Sequence, residues 1–134
     1  MFVLDTNVVS ELRRQRPHGA VLAWLSRTND MDIFISAATV GEIQAGIELT
    51  RESDPTRATE IEKWLVEVVL SMNVIVPDVA TFRLWARLMH RKQSHLWDDA
   101  MIAASAILRG FTVVTRNVRD FQIFDVPTFN PFET

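Results

Sequence analysis

Phe2-Val3-Leu4-Asp5-Thr6-Asn7 sets three apolar residues against a carboxylate. A short apolar run with polar boundaries reads as a buried strand. An acid at its end stands where ligands gather in parallel α/β sheets, outside the carboxyl ends of the strands. The pattern returns along the chain. Ile33-Phe34-Ile35 is followed by Ser36, and Val74-Ile75-Val76 is stopped by Pro77. Phe111 to Thr115 runs into Arg116-Asn117, and Val126 to Phe129 precedes Pro131. Thr6-Asn7 reads as a polar turn after the first strand.

Between these runs the apolar spacing becomes helical. Val21, Leu22, Trp24 and Leu25 form a short amphipathic stretch, and Val40, Ile43 and Ile47 mark a helix from Ala38 to Leu49. Asp54-Pro55 starts another helix, whose stripe is Ile61, Trp64, Leu65, Val68 and Met72. Phe82, Trp85, Ala86 and Met89 define a fourth helix, Arg91 to His95 a loop, and Asp98 to Arg109 a helix stopped by Gly110. Strands alternating with helices predict an α/β fold, three layers deep, with a central mainly parallel sheet covered on both faces. The 134 residues are expected to form a single domain, 1–134, without repeat or linker.

Composition narrows the chemistry. The chain has no cysteine, which excludes disulfides, thiolate zinc sites and cysteine nucleophiles, and fits a cytoplasmic location. It has no apolar run of membrane-spanning length, and Met1 to Asp5 lacks the basic start of a signal peptide. A net charge of -3 is unlike the basic footprint of a dedicated nucleic-acid binder. A nuclease that neutralises its acids with bound metal escapes that objection.

Polar residues at the predicted strand ends are the candidates for function. They are Asp5; Ser36 with Glu42 one turn further on; Asp98 and Asp99; and Thr115, Arg116, Asn117 and Asp120. Carboxylates brought together repel one another and pay for desolvation. A hard divalent ion relieves both costs. Mg²⁺ takes oxygen ligands, often one or two protein carboxylates with substrate phosphate, and activates water against a phosphodiester. Each acid also has a structural reading. Asp5 can cap a helix, Glu42 can face solvent, and Asp98 and Asp99 suit a helix's first turn. Asp120 suits a turn. Ala45 and Gly46, three and four residues beyond Glu42, leave that helix face bare. Trp97 could shield the acids, and Arg13, Arg14 and Arg16 could meet phosphate. His18, His90 and His95 have no metal-ligand spacing, and Ser10 and Ser36 no histidine partner. A phosphoryl receiver would need a late lysine, and none follows Phe111.

Asp5-Thr6-Asn7-Val8-Val9-Ser10-Glu11 resembles the opening motif of PIN domains in VapC-type toxins. Ile35 to Ile43 resembles their second block, with Glu42 as its acid. Asp99-Ala100-Met101-Ile102-Ala103-Ala104-Ser105-Ala106 is similar to their D-x-x-I-A-A-T-A helix, and Val114 to Phe121 to their T-R-N-x-x-D-F block. The tail Phe129-Asn130-Pro131-Phe132 resembles the FitB-like branch.

The resemblance implies a PIN-like α/β/α fold and a Mg²⁺- or Mn²⁺-dependent endoribonuclease, the toxin of a type II toxin–antitoxin pair. It carries the family's acids to Asp5, Glu42 and Asp99, with Asp99 preferred to Asp98 by alignment. Asp120 or Asn117 fills the fourth acidic position, while Thr6, Asn7 and Thr115 position the acids or the metal's waters. It also implies an RNA substrate, a cognate antitoxin, and a homodimer or larger assembly with that antitoxin. Val8, Val9, Leu12, Ile47, Leu49 and the Ile61 to Met72 stripe are expected to offer the partner surface, or else to be core. The alternatives are a nuclease on the same fold with another target, and a non-catalytic module that binds DNA with a partner.

Overall fold

Phe2, Val3 and Leu4 form β1 (Phe2–Leu4), which is paired on both sides. Its register sets Leu4 opposite Ile35 of β2 (Ile33–Ser36) and opposite Val114 of β4 (Thr112–Val114). β3 (Asn73–Ile75) pairs with the outer edge of β2, and β5 (Thr128–Phe129) with that of β4. All four pairings are parallel, and the strand order is β3-β2-β1-β4-β5. The computed structural model describes residues 1–133.

Helices fill every crossover: α1 (Thr6–Glu11), α2 (Gly19–Arg27), α3 (Ala37–Ser53), α4 (Pro55–Ser71), α5 (Val79–Met89), α6 (Trp97–Arg109) and α7 (Val118–Gln122). Short 3₁₀ turns at Asp30–Asp32 and Ser94–Leu96 complete the connections. Because side chains alternate along a strand, the central strands feed two cores. Val3 and Val113 turn toward α6 and α7, where they meet Ile102, Phe121 and Phe124. Leu4 and Val114 turn the other way, toward Val8, Val9, Val21 and Trp24. The alanines of α6, Ala100, Ala103, Ala104 and Ala106, are fully buried, and their small side chains let the helix lie close on the sheet. Gly110 ends α6 in the left-handed conformation, φ 69°, where glycine carries no Cβ penalty.

The three-layer, parallel-sheet expectation is borne out; the sheet is parallel throughout. Three local readings need correction. Thr6-Asn7 is not a turn: it begins α1 directly, because Asp5 caps the helix by accepting from Thr6 N. Val76 lies outside β3 and is 71% exposed, since Pro77 cannot donate to a ladder. Asn117 to Asp120 is not a simple turn, for Val118–Gln122 is helical. The apolar surplus divides. Val8, Val9 and Ile47 are core, Leu65 and Val68 are buried, and Leu49, Val66 and Leu70 are exposed.

Candidate functional site

The chain runs from β1 outward through β2 to β3, then returns past β1 to β4 and β5. Strand order therefore reverses between β1 and β4, and their carboxyl ends frame a crevice of the kind that receives ligands. Asp5 sits on its floor, 5% exposed, with its backbone N donating to Val114 O at 2.8 Å. Its carboxylate is held from three directions. Oδ1 accepts from Thr6 N at 2.7 Å, and Oδ2 from Thr115 Oγ1 at 2.8 Å and Asn7 Nδ2 at 3.1 Å. A carboxylate has more acceptor capacity than these donors use, so Asp5 stays fixed and still able to ligate.

The supporting groups are themselves tied down. Thr115 is fully buried, and its Oγ1 accepts from Asn117 N at 2.9 Å. Asn7 Oδ1 accepts from Arg116 N at 3.3 Å, and Thr6 Oγ1 donates to the buried Thr39 Oγ1 at 3.1 Å. The Arg116 guanidinium rests over the Phe132 ring, 4.0 Å from its centroid.

Three other elements bring acids to the same crevice. Ser36 caps α3 by accepting from Ala38 N at 3.1 Å, which sets Glu42 one turn along the helix. The first turn of α6 carries Asp98 and Asp99, and that of α7 carries Asp120. Burial pushes the Glu42 carboxyl up to about 7, and the charges of Asp98 and Asp5 add to it; the Thr6 side chain opposes. Asp99 is likewise pushed up to about 7, first by burial, then by Asp5, Asp120 and Asp98. Burial raises Asp5 too, with Asp120 adding, against the hydrogen bonds from Thr115, Thr6 and Asn7. Asp98 is raised by burial and shares a contact with Glu42. The main groups that shift these acids are other acids and hydrogen-bond donors, although Arg13 lines a cavity together with Glu42.

Asp5, Glu42, Asp99 and Asp120 thus come together, with Thr6, Asn7 and Thr115 beneath them. The Asn117 side chain makes no cap; its backbone carries its contact with the site. Asp98 and Asp99 both lie in the first turn of α6, as the sequence reading has it, with Leu96 as the cap residue, and Asp98 also meets Glu42. Two adjacent acids on a helix point about 100° apart, so each can meet a different partner across the crevice, which the one-dimensional pattern does not show. The donor set consists of hard oxygen atoms, the chemistry that suits Mg²⁺ or Mn²⁺. Among the described residues no three His, Asp or Glu side chains close around an ion by themselves, in keeping with an ion held by few protein ligands plus water and substrate.

A parallel α/β sheet with several acids gathered near its switch point is an arrangement that can attract cations. The PIN domain family model matches residues 2–126, and the chain belongs to that family. It is similar, at 34% identity over 99% of both chains, to the VapC ribonuclease Y4jK of Sinorhizobium fredii. It is 30% identical to toxin FitB of Neisseria gonorrhoeae over 98% of this chain and 99% of that one. The solved FitAcB structure from Neisseria gonorrhoeae superposes with a TM-score of 0.84 at 30% identity, covering 100% of each chain. The family resemblance read from the motifs is therefore correct.

Proposed function

We propose that this chain is a Mg²⁺- or Mn²⁺-dependent endoribonuclease, a single PIN domain acting in the cytoplasm as the toxin of a type II toxin–antitoxin pair. One observation carries the reading: four elements deliver carboxylates to one crevice, where burial and their mutual repulsion raise Glu42 and Asp99. The similar proteins named VapC ribonuclease and toxin FitB support it. Among the described residues no helix is long and apolar enough to cross a membrane.

Asp5 and Asp99 are the principal metal ligands in this reading, with Glu42 beside them and Asp120 as the fourth acid. Bound there, the divalent ion would supply Lewis acidity toward the phosphodiester and the attacking water. Thr115, Thr6 and Asn7 hold Asp5 in place, and Asn117 orients substrate at the mouth. The test is cleavage of single-stranded RNA by the purified chain, its loss with EDTA, and its return with Mg²⁺ or Mn²⁺. Cleavage that persists through thorough chelation would rule the mechanism out.

The antitoxin belongs to the same proposal. Leu12, Leu25, Ile33, Trp64, Val68 and Met72 border a cavity of about 380 Å³ on the α1–α2–α4 side, suited to an amphipathic segment. A basic side chain from that partner, placed among the acids, would compete with the metal by charge. Co-expression with a neighbouring short gene should give a stable, inactive complex that regains activity when the partner is proteolysed. A solved FitAB complex bound to a DNA fragment, 30% identical in the matching chain, supports DNA contact by the assembled pair.

A further inference from the structure

Beside Glu42 and Asp98 the crevice opens into a cleft of about 470 Å³ whose other walls are apolar. Gly41 and Ala45 line it along α3, and Pro77 and Trp97 line it too. A Cβ added at Gly41 would meet nothing within 4 Å, so the glycine serves no close packing and the floor is open. Trp97 is 40% exposed, yet it is fixed. Its ring meets Trp85 edge-on at a centroid distance of 5.4 Å, and Trp85 Nε1 donates to the Trp97 carbonyl at 3.2 Å.

We infer that this cleft is a stacking subsite for one unpaired base of the RNA strand, with Trp97 as its platform. The inference rests on the ribonuclease reading above. A pre-positioned aromatic face beside a phosphate-directed site is the usual means of holding single strands, and it tolerates any base because every base has a π-face. Charge also selects the occupant. The cleft is lined by no basic residue, only by Glu42 and Asp98 at its metal side and apolar groups elsewhere, so it offers a phosphate no counter-charge and suits a neutral flat group. The backbone then stays on the metal side while the neighbouring base turns into the cleft, which orients the scissile bond.

The experiment uses the full chain with Mn²⁺ and a single-stranded RNA whose cleavage position has been mapped. Abasic residues replace, one at a time, the nucleotides flanking the cleaved bond. In the wild type one abasic position should lower kcat/KM by about tenfold to a hundredfold, the range of one base–aromatic stack. Trp97→Ala should show that loss on intact RNA and no further loss on the abasic substrate, and Trp97→Phe should recover most of it. Gly41→Leu keeps Trp97, favours the helix, and should reproduce the loss by filling the cleft. Mn²⁺ affinity should be the same in all three variants. An abasic penalty as large in Trp97→Ala as in the wild type would overturn the inference. So would wild-type cleavage by both Trp97→Ala and Gly41→Leu, including the case where Trp97→Ala only splits a dimer, which would give the patch to a second copy. A wild type without metal-dependent cleavage would instead defeat the ribonuclease reading itself, and this inference with it.

Discussion

Thr115 Oγ1 donates to Asp5 Oδ2 at 2.8 Å, joining the carboxyl ends of β4 and β1 across 110 residues of sequence. Thr115 is fully buried and its hydroxyl also accepts from Asn117 N. Thr115→Val keeps the shape and removes both bonds, together with the longer one from Asn7 Nδ2 at 3.5 Å. The variant should lose roughly 10–100-fold in metal affinity, the usual effect of removing a group that orients a ligand. It should lose about 1–3 kcal/mol of stability, because a partner is left unsatisfied in a buried place. Mn²⁺ titration and urea denaturation measure the two effects. An unchanged metal affinity would show that Asp5 needs no such support.

Asp5 and Asp99 should differ in stability while agreeing in activity. Either Asp5→Asn or Asp99→Asn should cost more than about a hundredfold in RNA cleavage, beyond the loss from removing a supporting group. Asp5 accepts three hydrogen bonds, and an amide nitrogen in place of one oxygen would face donors, so Asp5→Asn gains no stability. Asp99 is surrounded by influences that all raise its pKa. Asp99→Asn removes that repulsion and should raise the melting temperature of the metal-free chain at pH 8. Asp98→Asn should be milder in activity. A destabilised Asp99→Asn would refute the account of its surroundings.

The sheet was legible because each core strand is an apolar run with a polar stop, and each long helix carries a periodic stripe. What sequence could not supply was distance. Nothing local distinguishes Val8 and Val9, which are core, from Val66 and Leu70, which are exposed; the sheet they face decides it. Asp5 shows why its two readings were not exclusive: one carboxylate caps α1 and also lines the crevice. Glu11 drew no attention as a site residue, yet it is 6% exposed and accepts from His18 N at 3.0 Å. It also pairs with Arg14 at 3.3 Å, although that arginine's side chain remains 66% exposed, as a solvated face would leave it. Asp98 was set below Asp99 by alignment, and only the packing of α3 near α6 reveals its tie to Glu42.

Metal and pH should act in opposite directions on stability. Glu42 and Asp99 titrate at about 7 in the folded chain, above their ordinary 4.5 and 3.8. Between those values the folded chain binds more protons than the unfolded one. Their stabilising contribution is therefore full below the ordinary values and is lost as pH rises through about 7. The urea midpoint of metal-free protein should fall across this window, and less steeply in Asp99→Asn. Mg²⁺ or Mn²⁺ should offset the fall, most at pH 8, where protons no longer compete. EDTA should leave the chain folded, because two apolar cores hold it without an ion. A midpoint whose slope is identical in wild type and Asp99→Asn would contradict the titration.

The fourth acidic position separates Asp120 from Asn117. Asp120 lies in the first turn of α7, and its charge raises the pKa of both Asp5 and Asp99. Asn117 stands just before that helix, with its backbone N bonded to Thr115 Oγ1. A residue whose charge reaches both principal ligands contributes to cation attraction; a neutral amide at the mouth contributes to orientation. Asp120→Asn should therefore weaken Mn²⁺ binding, shift the half-saturating concentration upward by about tenfold, and lower cleavage at limiting metal. Excess metal should restore much of that cleavage. Asn117→Ala keeps the backbone donor to Thr115, so its metal affinity should hold while KM for RNA rises. Metal titrations on both variants, read by cleavage and by direct Mn²⁺ binding, distinguish the roles. If Asn117→Ala weakened the metal and Asp120→Asn did not, the fourth position would belong to Asn117.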